Sequence, residues 1–233
     1  MVIGTSRGRE DLKHKLLHLD YSEENALENL IARLHELKLS PNILINNAGL
    51  GLDPLPLSDL SRSLYHEIFS VNTIMPCELV RLCTEHFPLE RVINIGSIMS
   101  LLPLPYYGLY GASKGALLDL TLSLRYELKR KGIAVCAVLP NLTQTKFTQK
   151  RRHLESLDKE QAQICAYIKS LNEKNLRHAD SPQQVARVIV TALTAKEPKA
   201  VYYVSFKGYM SAFISAIMPL RFLYFLVTKI FKI

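Results

Sequence analysis

The chain has 233 residues, 48% hydrophobic and 21% charged, which suits one globular domain with an ample core rather than a disordered chain. Lys and Arg total 29 against 21 Asp and Glu, a net charge of +8, yet no basic stretch shows aromatic interleaving or a nucleic-acid motif, so nucleic acid is not the expected partner. Cys77, Cys83, Cys136 and Cys165 show no CxxC pair and no metal-ligand spacing, which predicts free thiols in a reducing, cytoplasmic setting and no metal site.

Short apolar runs alternate with longer amphipathic ones, the pattern of a parallel sheet covered by helices on both faces. Met1–Thr5 is predicted as a strand ending on Ser6-Arg7, and Leu16–Leu19 as a second, stopped by Asp20. Ser22–Leu39 follows as a helix, with Ser22 as N-cap and Leu27, Leu30, Ile31 and Leu34 on one face. Asn42–Ile45 is a buried strand running into Asn46-Asn47-Ala48-Gly49, and a Pro- and Gly-containing loop then leads to one long helix over about Ser58–His86. Arg91–Ile95 is the next strand, followed by a helix over about Tyr107–Lys131 and a continuous apolar strand, Ile133–Leu139, closed by Pro140. The basic and polar stretch Lys146–His178 is predicted as a helical excursion. Ser181-Pro182 opens another helix, and Ala200–Val204 is the last strand. The expected organisation is one domain over residues 1–205 with an apolar extension over 206–233, and no signal peptide precedes it.

Three residues carry the chemistry. Tyr110 and Lys114 are four apart on a predicted helix, so their side chains leave the same face one turn apart. An ammonium beside a phenol stabilises the phenolate and makes the tyrosine a proton donor to a ketone or acceptor from an alcohol. Ser97 follows a strand at the carboxyl edge, where ligands bind in open α/β sheets, and its hydroxyl can hold the same oxygen. A lone YxxxK, however, is more often a solvated helix face, so the pair acquires meaning only from its surroundings.

Those surroundings are specific. Asn46-Asn47-Ala48-Gly49, Val71-Asn72, Ser97 and Tyr110-Gly111-Ala112-Ser113-Lys114, in this order and spacing, resemble the signature of the short-chain dehydrogenase/reductase family over residues 1 to about 195. The resemblance implies a Rossmann-type doubly wound sheet, a nicotinamide cofactor and a catalytic tetrad. In that tetrad Tyr110 is the acid/base, Lys114 tunes it and holds the nicotinamide ribose, Ser97 positions the carbonyl, and Asn72 supports a proton-relay water. It also implies that Asn47, Ala48 and Gly49 shape the strand end beside the cofactor, that Asp20 borders the adenine, and that Pro140 and Thr145 lie at the nicotinamide. Arg7 falls where family members read the adenosine ribose; a guanidinium there suits a 2′-phosphate, which favours NADP(H) over NAD(H).

The chain also departs from the pattern. The family opens with a strand and a TGxxxGxG loop that seats the cofactor pyrophosphate on a helix N-terminus, and this sequence contains neither. In the family's strand order the missing strand sits between the strands that here begin near Met1 and Asn42, so both are expected to lose a ladder partner. Two explanations stand: a start further upstream, whose restoration would restore NADPH binding, or a truncated, inactive product. The first is favoured because the catalytic set is intact. After the sixth strand the usual Pro-Gly is replaced by Pro140-Asn141, where Asn is expected to tolerate a left-handed turn.

The extension after Val204 is rich in Phe, Leu, Ile and Tyr, with Pro219 and Arg221 interrupting its middle and Lys207, Lys229 and Lys232 interspersed. Attachment to the cytoplasmic face of a membrane is expected ahead of a cover for the substrate cleft or an oligomer interface, and a true span comes last. The expected activity is hydride transfer between NADP(H) and a carbonyl or secondary alcohol on a hydrophobic, lipid-like substrate. The alternative is a non-catalytic membrane-associated binding or dimerisation protein on a degenerate reductase scaffold. Homo-oligomerisation through the helices at Ser58–His86 and Tyr107–Lys131 is implied by the resemblance.

Overall fold

The computed structural model describes residues 1–145, 158–177 and 179–231. The basic run 146–152 and the rest of 146–157 lie outside the described residues.

Among the described residues, six parallel strands form two sheets. β1 (Gly4–Ser6) pairs with β2 (Leu16–His18), while β3 (Ile43–Asn46), β4 (Arg91–Ile95), β5 (Ala134–Leu139) and β6 (Val201–Tyr203) pair in that order. The break falls between β1 and β3, where the sequence lacks a strand. Its cost is visible on β3, whose Ile43 and Ile45 stay 40% and 39% exposed although both are strong strand formers. By contrast β4 and β5, flanked on both sides, bury Val92, Ile93, Val135 and Val138 completely.

The two sheets nevertheless share one core. α1 (Ala26–Glu36) turns Leu27, Leu30, Ile31 and Leu34 inward, where they join Leu17 of β2, Val92 of β4 and Val135 of β5 in a single apolar cluster. The predicted cap is not the one used: Ser22 instead donates its hydroxyl to Asp20, and the N-cap is Asn25, three residues later, which sits in the left-handed region. Opposite, α6 (Pro182–Thr194) begins with the predicted proline and a capping box in which Ser181 and Gln184 satisfy each other's backbone N–H groups. Arg91 ties its far end to β4 through the carbonyl oxygens of Ala192 and Ala195.

The long helix expected over Ser58–His86 is several pieces. A 3-10 turn at Leu57–Asp59 precedes α2 (Arg62–Phe69), capped by Ser61, and a π-bulge at Ser70–Ile74 joins it to α3 (Met75–His86). The apolar periodicity runs on through the bulge, so the sequence alone reads it as one helix. α4 (Gly108–Glu127) ends in a 3-10 turn over Leu128–Lys131 that Gly132 closes with φ +73°. α5 (Lys159–Leu176) is the described part of the expected excursion. The extension forms α7 (Phe206–Ile217) and α8 (Leu220–Phe231), broken at Pro219. Among the described residues, no helix is long and apolar enough to cross a membrane. Cys83, Cys136 and Cys165 are buried free thiols and Cys77 is half-buried; burial pushes the first two thiols up to about 11, which keeps them protonated and inert.

Candidate active site

A cleft of about 860 Å³ opens at the carboxyl ends of β3, β4 and β5. That is where a parallel sheet frees its last carbonyls and where loops can diverge to receive a ligand. Ser97, Tyr110 and Lys114 all line it, together with Asn47, Gly49, Pro140 and Thr145. Seven of the residues singled out from the sequence therefore share one cavity.

Ser97 caps the short turn Ile98–Ser100: its Oγ accepts from the Met99 N–H at 3.2 Å, which leaves its own proton for a ligand oxygen. Tyr110 lies in the first turn of α4, and Lys114 one turn further on. Lys114 is 4% exposed, and its Nζ donates to the Ile95 carbonyl at 3.0 Å. Burial lowers its pKa to about 8, so near neutrality it remains mostly an ammonium held in an apolar wall. Gly49 keeps the space beside it open. A Cβ there would stand 3.4 Å from the Lys114 Nζ and 3.2 Å from the Asn72 Oδ1.

Asn72 is not in the cleft wall but directly behind it, fully buried in the π-bulge. Its Oδ1 accepts from the Leu50 N–H at 2.7 Å, while its Nδ2 donates to the Leu50 carbonyl and the Ser113 Oγ, both at 3.0 Å. Ser113 in turn donates to the Tyr110 carbonyl at 2.8 Å. The observed job of Asn72 is thus to clamp the Gly49–Leu50 turn to the first turns of α4. A second buried chain supports the strand ends: Asn46 donates to Asn94 at 2.8 Å and Asn94 to Thr121 at 2.9 Å.

Other expectations fare differently. Arg7, Asp20 and Ala48 are not among the residues lining the cleft. Arg7 is exposed at the end of β1, close enough for its charge to help lower the pKa of Asp20, although the larger causes there are the hydrogen bonds from Ser22. Asn141 lines the cleft but does not adopt a left-handed conformation; its Oδ1 accepts from the Leu142 N–H at 2.8 Å instead.

Sequence reasoning missed Asp180. It lines the cleft at 7% exposure, paired by its backbone to Leu142 and Gln144, and its Oδ2 is buried without a hydrogen-bond partner among the described residues. An orphan carboxylate oxygen in a ligand cleft is costly unless a ligand donor meets it. No spacing announces it, because its neighbours Leu142 and Gln144 lie far upstream in the chain. α5 closes the cleft's remaining side with Asn172 and Asn175. It is tied down by a hydrogen bond from Asn172 to the Tyr107 hydroxyl and by an ion pair from Lys169 to the buried Asp53 at 3.1 Å.

The model of the short chain dehydrogenase family matches residues 5–156. A probable short-chain type dehydrogenase/reductase, VdlC, from Helicobacter pylori is 28% identical over 223 residues, covering 89% of this chain and 79% of that protein. The 3-ketodihydrosphingosine reductase of Bacteroides thetaiotaomicron is 27% identical over 206 residues, covering 85% and 76%. Among solved structures, a 4-hydroxyisoleucine dehydrogenase complexed with NADH superposes with a TM-score of 0.66 at 25% identity, covering 86% of this chain and 84% of that one. The chain belongs to the short-chain dehydrogenase family, and its fold and class of chemistry are those of an oxidoreductase that uses a nicotinamide cofactor.

Proposed function

We propose that the cleft transfers hydride between NADP(H) and a carbonyl or secondary alcohol on a hydrophobic, lipid-like substrate. The observation that supports this best is the buried Lys114 ammonium, one turn from Tyr110 in the cavity that also receives Ser97. The chain's residues fit the nicotinamide end of the cofactor: a Cβ at Gly49 would crowd Asn72 and Lys114, and the Lys114 ammonium, which spends one N–H on the Ile95 carbonyl, has further donors for a ribose hydroxyl. When bound, the nicotinamide supplies or accepts the hydride.

The protein's own part is proton handling and positioning. Ser97 donates to the substrate oxygen, Tyr110 gives that oxygen a proton, and Lys114 steadies the negative charge left on Tyr110. Asn72 acts as a positioning residue through Leu50 and Ser113. Asp180 accepts a hydrogen bond from a donor on the ligand. The apolar part of the lining, with Leu52, Ile98, Met99, Leu104 and Leu142, suits a long hydrocarbon substrate. The relative that acts on 3-ketodihydrosphingosine supports that substrate class. The same reading seats the C-terminal pair at a membrane surface and pairs copies through α2–α3 and α4.

NADP(H) is preferred on the strength of Arg7. If Arg7 reads a 2′-phosphate, Arg7→Ala lowers the NADPH over NADH preference by about tenfold to a hundredfold, the worth of one or two charge-assisted hydrogen bonds. Equal loss for both cofactors would refute the assignment. One observation favours a second reading, a binding or dimerisation scaffold: among the described residues, β1 and β3 each leave one edge unpaired. Titrating the protein into NADPH separates the two, since the reductase reading expects cofactor fluorescence to change with saturation and the scaffold reading expects none.

A further inference from the structure

The outer surface of the C-terminal pair is apolar and basic at once. Phe206, Tyr209 and Phe213 on α7 and Leu220, Phe222 and Tyr224 on α8 are all more than half exposed, and α8 buries no residue at all. Two consecutive helices that expose this many large apolar side chains call for an occupant. The charge pattern identifies the occupant. Residues 206–231 contain no Asp or Glu, while Lys207, Arg221 and Lys229 are exposed among the aromatic side chains. Each helix has 12 residues, which at 1.5 Å per residue reaches about 18 Å, well short of a hydrocarbon core of about 30 Å. Short, cationic and aromatic helices of this kind lie in the plane of a membrane interface.

We infer that α7 and α8 rest in the headgroup layer of an anionic bilayer, and that the cleft opens beside that layer. The pair is fastened to the cleft at both ends. Lys207 lines the cavity, and Gly208 sits so close to Tyr203 and Ile98 that a Cβ on it would stand 3.2 Å and 3.6 Å from their side chains. At the other end α8 lies against α5, with the Tyr167 hydroxyl donating to the Ile230 carbonyl at 3.5 Å, and α5 supplies Asn172 and Asn175 to the cavity wall. An apolar ketone dissolved at the bilayer surface therefore reaches Ser97 and Tyr110 without passing through bulk water. Attachment stands on the surface alone; this delivery step rests on the reductase reading above.

The test is sedimentation of the full chain with vesicles of phosphatidylcholine, with and without a minority of phosphatidylserine, in the absence of cofactor. Binding is expected with phosphatidylserine and is expected to weaken about fivefold for each charge removed in Arg221→Gln and Lys229→Gln. Phe222→Ser with Phe225→Ser is expected to abolish it with an unchanged circular dichroism spectrum. Equal binding to both vesicles, no binding, or a dimer that the Phe222→Ser and Phe225→Ser changes dissolve without any vesicle binding would each overturn the attachment. For delivery, reduction of a ketone in anionic vesicles is compared with the same ketone in neutral detergent micelles. The Arg221→Gln, Lys229→Gln variant is expected to slow only the vesicle reaction; equal slowing in both would overturn delivery. Vesicle binding with no turnover in either medium would sink the reductase reading and leave the attachment standing.

Discussion

Lys114 ties stability and chemistry to one proton. Its folded pKa of about 8 lies below the ordinary 10.5, so the fold favours the neutral amine. The sign follows: the folded state binds the proton less well, so the stability this group contributes is full above pH 10.5 and is lost as pH falls towards 8. Below pH 8 the buried ammonium costs on the order of 3 kcal/mol. Lys114→Met removes that cost, so its melting temperature relative to the native chain is expected to be highest near pH 7 and to decline as pH rises to 10. A constant difference across that range would contradict the assignment. Activity runs the other way: the native rate is expected to fall above pH 8 as the ammonium is lost. Individual residues were legible where chemistry repeats locally, as in the Tyr110–Lys114 pair. The Asn72–Ser113 clamp and the orphan oxygen of Asp180 were not, because each depends on residues about 40 positions away.

Elements show the same division. β4 runs over the predicted residues because Val92, Ile93 and Ile95, bracketed by Pro88 and Ser97, make a short β-branched stretch that is buried on both faces. The π-bulge at Ser70–Ile74 was hidden, since one extra residue in a turn leaves the hydrophobic stripe intact, yet it is what turns Asn72 inward. The start of α1 was misjudged because Asp20 holds Ser22 in a turn of its own, accepting from both its backbone N–H and its hydroxyl. α5 makes its own test. Its ties to the cleft run through Lys169–Asp53 and Asn172–Tyr107, so Lys169→Ala is expected to raise KM severalfold with little change in kcat, as uniform binding is lost. A fall in kcat at constant KM would show that α5 acts on the chemical step instead.

At the scale of the molecule, a sheet split in two is held as one body by helices rather than by a ladder. The missing glycine loop announced the gap between β1 and β3; that α1 would bridge it could not be read from periodicity, which shows a helix's apolar face but not its partner. The exposed Ile43 and Ile45 on a free strand edge invite pairing between chains. Ile45→Lys is expected to reduce concentration-dependent aggregation, measured by light scattering, with circular dichroism unchanged; undiminished scattering would show that this edge is already protected.

Cofactor oxidation at 340 nm with NADPH and an apolar ketone, run on the native chain and on Tyr110→Phe, reaches the cleft chemistry most directly. Native turnover is expected, with kcat reduced about 10²- to 10⁴-fold in the variant and NADPH binding preserved. Equal rates in the two proteins, or no native turnover while NADPH binds, would contradict the assignment of Tyr110 as the proton donor.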